Sequence, residues 1–469
     1  MKNFLSPHLL DSFVERAIEA LPSGIPHTSP DCASLGKAWR EHGLRPGDLV
    51  LLCLPNSREL LHQFFGVLMG QGVPALLPPM MPAARLREIA KTMGAYAIAA
   101  LRLPAGDLGA RSHGTLGPLQ IAILAPPTEP AGVPGEVVLM TSGTSGFASG
   151  CVFDFEAILL NGQRHAASIG QRAEDTLLVS LPLFFSFALS AQALSALTLG
   201  SRLIVSGPPF NLTGYRKTLE DYGITISSLT PVAIRSLLKS DPSILAGLRV
   251  LSVGGDALSH DLAARLVELR KGGDVYLTYG LTQAGPRVST LAAHAEPSSR
   301  YSSVGLPLEG TEVSLHPIED GSGRKQLFVT SDTVMKRPIG RVEGRSNNDL
   351  VARKTIATGD SFVQDEHGYL YFKGRLSDFI SRKGEKISLA AVRRLAADLP
   401  HVVSARTPIF KHSDGTEDFD LELRVDASAF ATNRQFASRE MLSQLLRRTE
   451  MPHEIRVQPA SEMDGQSYK

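Results

Sequence analysis

Residues Val137–Gly150 read VVLMTSGTSGFASG. The apolar run Val137–Met140 has the character of a buried strand. It runs straight into Thr141, Ser142, Gly143, Thr144, Ser145 and Gly146, which carry two glycines and four hydroxyls and no charge. Glycine lets successive backbone N–H groups converge on one point, and the hydroxyls add donors. Such a loop can wrap a polyphosphate; the competing reading is a Ser/Thr/Gly-rich surface turn. It is not a Walker loop, because no GK[ST] follows at the required spacing.

Around this stretch, strands and helices alternate. Asp48–Leu54 reads as a strand, Arg58–Gln71 as a helix, VPALLPP as a short buried strand, PAARLREIAKTMGA as a helix and YAIAAL as a strand. Downstream, Phe155–Ile169 is predicted helical, with strands at Thr176–Leu181, Leu203–Ser206, Ile224–Leu229, Arg249–Val253 and within Val275–Gly285. This alternation predicts an α/β protein with mostly parallel sheets. Ala105–Pro134, rich in Pro and Gly, reads as a connecting region. From Gly305 the segments GTEVSLHP, KQLFVTS and GYLYFKG alternate with period two, as in a small β-subdomain. GRLSDFISRKGEKI suits a linker or hinge, and the remainder reads as a small α+β domain with strands over VVSARTPIF and FDLELRV and a helix over SREMLSQLLRR. The expected division is 1–374 and 375–469.

The 469 residues are long enough for more than one folding unit, and 43% hydrophobic with 20% charged residues is ordinary for a globular protein. A net charge of +1 without blocks of like charge argues against a nucleic-acid partner. Cys32, Cys53 and Cys151 lack metal spacing and read as reduced thiols of a cytoplasmic protein. The first residues, MKNFLSPHLLDSFVERAIEAL, form an amphipathic pattern rather than a signal peptide, and no run is long and apolar enough to span a bilayer.

Several separated segments agree in order with one family. TSGTSGFASG, LPLFFSFALS, VGGDAL, YGLTQAG and ATGDSFVQDEHGYLYFKGRLSDFI resemble the successive motifs of the adenylate-forming superfamily of acyl- and aryl-CoA ligases, luciferases and peptide-synthetase adenylation domains. The resemblance runs from about Leu35 to the C-terminus. It implies a large N-terminal domain of two α/β subdomains plus a β-subdomain, and a small mobile α+β C-terminal domain. It also implies two half-reactions. A small carboxylic acid attacks the α-phosphate of Mg-ATP, giving acyl-AMP and pyrophosphate; a thiol of coenzyme A or of a carrier-protein phosphopantetheine then displaces AMP.

On this resemblance, Thr141–Gly146 cradle the β- and γ-phosphates and Thr282 reaches the α-phosphate. Asp360 accepts hydrogen bonds from the ribose diol, since a carboxylate offers two acceptor oxygens, and Arg375 sits near ribose and phosphate. Gly254, Gly255, Asp256, Ala257, Tyr279 and Gly280 form the adenine slot, with Tyr279 stacking on the base. Phe184, Phe185 and Phe187 line or gate the acyl pocket, the alternative being ordinary core. Arg287 either pairs with a second carboxylate on the substrate or is a surface arginine. Gly384 faces the thiol, with Lys383 and Lys386 beside it as phosphate or pantetheine contacts or as a solvated charge cluster.

Phe185 replaces the commonly found histidine of the family pattern and Ser377 occupies the usual acidic or basic hinge position, and three further departures remove charge. Ser149 stands where a loop lysine is usual, and Gln283 where a Mg²⁺-binding glutamate is usual; an amide oxygen is a weaker ligand for a hard cation. Matching the terminal motif to Gly465 puts Gln466 at the catalytic lysine position, with Lys469 three residues on as a substitute or a frayed end. These losses keep other readings open: acyl transfer from a preformed adenylate, amide or β-lactone formation, or a non-catalytic nucleotide-binding scaffold. A monomer and a homodimer are both compatible with the sequence.

Overall fold

The computed structural model describes residues 6–20, 31–141, 149–207, 211–318, 323–340, 350–382, 385–397, 399–412, 417–426, 430, 442, 446 and 450–460. Within these, the strand–helix alternation builds two eight-stranded sheets. The first has the order Arg337–Gly340, Ser149–Asp154, Glu136–Met140, Val73–Leu76, Leu49–Cys53, Ala95–Ala100, Leu119–Leu124, Ala110–Leu116. Its four middle strands are parallel and its flanking pairs antiparallel. In the second, Ile18–Glu19, Arg202–Val205, Thr176–Val179, Ile226–Leu229, Val250–Val253 and Asp274–Tyr279 run parallel. Ser289–Ala292 and Leu306–Pro307 close its edge in antiparallel fashion.

Successive strand residues face opposite sides, and both sheets use both faces. Val50, Leu52, Val137 and Leu139 of the first sheet share one core with Leu177, Val179, Leu203 and Val250 of the second. Helices Cys32–Glu41, Arg58–Met69 and Phe155–Ser168 supply Leu35, Trp39, Phe64, Phe65, Ile158 and Leu159 to it. Leu49, Leu51, Ala75, Ile98 and Val138 point the other way, onto helix Ala83–Met93. Leu178, Ile204, Leu251, Val275 and Leu277 pack in the same manner against helices Leu212–Tyr222, Pro231–Ser240 and His260–Leu269. Burial on both faces explains why these strands read as unbroken apolar runs. Helices Arg58–Met69, Leu212–Tyr222, Pro231–Ser240 and His260–Leu269 start on side-chain caps: Ser57, Asn211, Thr230 and Ser259 each accept a backbone N–H three residues on.

The β-subdomain is a five-stranded antiparallel sheet of Thr311–Pro317, Lys325–Ser331, Thr355–Gln364, Leu350–Ala352 and Leu370–Arg375. It is tied to the second sheet where the Tyr369 hydroxyl donates to Glu296 and the Arg300 guanidinium lies 4.0 Å over the Tyr369 ring. Beyond it, Ile380, Ile387, Val392, Leu421, Leu423 and Val425 belong to a separate core.

Three expectations need correction. Ala105–Pro134 is not merely a connection, because it contains the hairpin Ala110–Leu116/Leu119–Leu124. GRLSDFISRKGEKI is not an irregular connection: it carries the paired strands Phe379–Arg382 and Glu385–Ser388. VVSARTPIF is two strands, Val402–Arg406 and Ile409–Lys411, rather than one. In each case cross-strand pairing overrides a local composition of Pro, Gly or charge. Most of SREMLSQLLRR lies outside the described residues. The three cysteines are free and buried, and burial pushes the Cys53 and Cys151 thiols up to about 12. Among the described residues no helix is long and apolar enough to cross a membrane.

Candidate active site

Gly254–Ala257, Tyr279, Gly280 and Thr282 end or follow parallel strands of the second sheet at their carboxyl ends, where open α/β sheets bind ligands. Tyr279 ends strand Asp274–Tyr279, and its hydroxyl donates to Asp360 Oδ2 at 2.6 Å. Asp360, 3% exposed, belongs to strand Thr355–Gln364 of the β-subdomain. Its Oδ1 faces Arg375 Nε at 3.5 Å, and the two residues are cross-strand partners. One carboxylate therefore joins the second sheet to the β-subdomain. Burial, and then the Asp360 charge, push the Tyr279 hydroxyl well above its usual range. The Tyr279 ring is edge-on to Phe362, with centroids 4.8 Å apart.

Gly254, Gly255, Asp256 and Ala257 follow strand Val250–Val253, and the last three are exposed. A Cβ on Gly254 would lie 2.4 Å from Thr278 Oγ1 and 2.9 Å from Arg287 Nη1, so these side chains require glycine there. Asp256 Oδ1 accepts the Ala257 N–H at 2.7 Å. Gly280 is equally constrained: a Cβ would lie 1.8 Å from the Pro286 carbonyl oxygen, where the chain folds back on itself.

Thr282, Gln283 and Ala284 make a 3₁₀ turn just past Gly280. The Thr282 hydroxyl is 3.0 Å from Ser186 Oγ, which brings LPLFFSFALS against YGLTQ. The Gln283 carbonyl accepts Met335 N–H at 2.9 Å, and its half-buried side chain has no hydrogen-bond partner among the described residues. Phe184 and Phe185 are half-buried with ring centroids 4.6 Å apart, whereas Phe187 is buried. Leu189–Leu194 then form a π-helical turn, a feature often found at functional sites.

Arg287 is not a surface residue. It is 3% exposed, its Nη1 donates to Thr278 Oγ1 at 2.9 Å, and its guanidinium carbon lies 4.2 Å over the Phe187 ring. Burial lowers its pKa to about 10, so it is charged at neutral pH. Asn161 clamps its backbone, accepting Arg287 N–H at 2.9 Å and donating to the Arg287 carbonyl at 2.9 Å. One helical turn on, His165 is fully buried; burial, and then the Arg287 charge, depress its pKa to about 3. Sequence reasoning missed Asn161, His165, Thr278 and Ser186. The polar NGQRH inside the apolar helix Phe155–Ser168 is the one local signal for the first two.

At the loop base, Thr141 N–H donates to the Ser149 carbonyl at 3.1 Å and the two hydroxyls are 2.8 Å apart. The residue standing at the usual lysine position thus closes the neck of the loop. Ser142, Gly143, Thr144, Ser145 and Gly146 lie outside the described residues, as do Lys383, Gly384, Gln466 and Lys469. Lys386 lies in strand Glu385–Ser388, and its side chain is outside the description.

Residues 29–336 match the AMP-binding enzyme family. A feruloyl-CoA synthase of Amycolatopsis sp is 28% identical over 397 residues, 79% of this chain and 77% of that one. A 4-coumarate-CoA ligase 1 of Narcissus pseudonarcissus is 23% identical over 440 residues, 85% of this chain and 78% of that one. The fold is similar to the o-succinylbenzoate CoA synthetase of Bacillus subtilis in complex with its acyl-adenylate intermediate, with a TM-score of 0.72 and 19% identity over 97% of this chain and 94% of that one. The chain belongs to the AMP-binding enzyme family and is an AMP-forming, acyl-adenylating ligase.

Proposed function

We propose that this ligase adenylates a small carboxylic acid with Mg-ATP and passes the acyl group to the thiol of coenzyme A. The carrying observation is the buried Asp360 carboxylate, held by Tyr279 and Arg375 at the carboxyl edge of the second sheet. Asp360 exchanges these partners for the ribose hydroxyls, and Arg375 is freed toward phosphate. Gly255, Asp256, Ala257, Tyr279 and Gly280 border the adenine, and Thr282 meets the α-phosphate. A carboxylate and a triphosphate repel, so the site must cancel charge and hold the attack in line. The loop beginning at Thr141 does so through N–H and hydroxyl donors in place of a lysine. Gln283 offers Mg²⁺ a neutral oxygen, which fits an oxygen-binding cation but supplies no charge. Phe184 and Phe185 border the acyl entrance, with Phe187 beneath.

Residues 375–469 act as the mobile domain, and Gly384 with Lys386 faces the thiol in the second half-reaction. The relatives' names, feruloyl-CoA synthase and 4-coumarate-CoA ligase, support coenzyme A as acceptor over a carrier protein. Three buried free thiols fit a reducing, cytoplasmic setting. The test is ATP–pyrophosphate exchange with aryl, fatty, amino and dicarboxylic acids, followed by thioester detection with coenzyme A. Exchange with one acid class is expected. Thioester formed only from synthetic acyl-adenylate, never from ATP and free acid, would overturn the reading.

A further inference from the structure

Arg287 is a buried cation with no counter-ion among the described residues. Among those residues no carboxylate pairs with it, its Nε is buried without a hydrogen-bond partner, and one threonine hydroxyl is the only side-chain acceptor it reaches. His165, whose neutral state the Arg287 charge favours, leaves both ring nitrogens unpartnered as well. Buried polar groups are almost always satisfied, and a buried charge is paired. Arg287 is clamped by Asn161 and seated on Phe187, which fixes the guanidinium in place. A planar guanidinium matches a carboxylate through parallel N–H bonds.

That carboxylate is not the reacting one. Arg287 bonds Thr278, one residue inside the strand from Tyr279, and the Thr278 hydroxyl bonds the Val253 carbonyl beneath Gly254. The nucleotide-side groups, Tyr279 with Asp360 and the Thr282 turn, lie beyond the strand end. A carboxylate gripped by a buried guanidinium is also a poor nucleophile, because its lone pairs are engaged and its charge neutralised.

We infer that Arg287, over Phe187 and beside His165, holds a second carboxylate at the inner end of the acyl site, so that the substrates are dicarboxylic acids of which one carboxylate reacts. The neutral His165 ring adds an N–H donor to the held group. This rests on the adenylating function proposed above and deepens it.

The test compares matched pairs, 4-carboxycinnamate with cinnamate and adipate with hexanoate. Pyrophosphate exchange is measured, together with calorimetric binding of each acid in the presence of a non-cleavable ATP analogue. The wild-type protein is expected to prefer the dicarboxylate of at least one pair by roughly 10- to 100-fold in kcat/KM. Arg287→Met should erase that preference, through the KM for the dicarboxylate and not the KM for ATP, and Arg287→Lys should restore part of it. A wild-type protein that turns over the monocarboxylates as well as their partners overturns the inference and leaves adenylation standing. If no acid supports exchange, adenylation fails, and binding decides the subsite. Saturable dicarboxylate binding that Arg287→Met abolishes supports it; no such binding overturns it. Should Arg287→Met not fold, the wild-type ratio and Arg287→Lys decide the same question.

Discussion

The two ends of the second sheet treat charge in opposite ways. At the amino ends, Arg249 Nε donates to Asp175 Oδ1 at 2.9 Å and its Nη2 to Asp175 Oδ2, while Asp274 lies 3.9 Å away. Burial works to raise the Asp175 carboxyl, but the bonds from Arg249, the Arg172 backbone and Thr225 hold it below its usual range. Arg270, buried beside them, donates to the carbonyls of Leu245 and Leu248. At the carboxyl ends, among the described residues, Arg287 has one hydroxyl as side-chain acceptor, the His165 ring has no hydrogen-bond partner and Asp360 is held by groups that a ligand can replace. Arg270 Nε is buried without a partner, like Arg287 Nε, but at the first end the remaining guanidinium groups bond carboxylate and carbonyl oxygens of the fold, whereas at the second Arg287 bonds one hydroxyl.

The sharpest way to break this contrast is Asp360→Ala. Losing two charge-assisted contacts to the nucleotide should lower pyrophosphate exchange by at least about 100-fold; unchanged exchange would remove Asp360 from the site. Next, Arg249→Met should cost about 2–3 kcal/mol of stability in urea denaturation, because it strands the buried Asp175. Arg287→Met should be neutral or stabilising by the same measurement, since it removes a buried charge that no carboxylate of a described residue pairs with. Equal losses for the two variants would abolish the distinction between the sheet ends.

His165 gives a pH signature. Its folded pKa of about 3 lies below the unfolded value near 6.5. The unfolded chain therefore binds the proton first, and this contribution to stability, complete above pH 6.5, is lost as pH falls toward 3. The slope should approach about 1.4 kcal/mol per pH unit, and His165→Gln should flatten it in denaturation midpoints measured from pH 7 to 4. Tyr279→Phe leaves Asp360 Oδ2 short of a donor and should cost about 1 kcal/mol. The smallest effect concerns the metal: Gln283→Glu restores a charged oxygen and should lower the Mg²⁺ concentration for half-maximal exchange a few-fold.

Much of the first-order layout was legible. Apolar runs of four to six residues, such as Val250–Val253 and Ala95–Ala100, matched fully buried parallel strands. Arg287 was legible only as an alternative, because nothing in YGLTQAGPR separates an arginine that turns outward from one that lies on Phe187. The Ala110–Leu124 hairpin escaped notice because its partner strand, Ala95–Ala100, lies outside any local window. The polar side of the site was harder still: Asn161 meets Arg287 across 126 residues of chain.

By itself the sequence determined the class. Period-two and apolar segments specify an α/β protein, since local pattern dictates which faces must be buried, and the ordered motifs resemble those of adenylate-forming ligases. Which polar groups lack partners among the described residues follows from the packing and not from any local pattern. Burial and pairing are properties of the packed whole, and a guanidinium becomes a recognition element only when the fold removes it from water without giving it an anion.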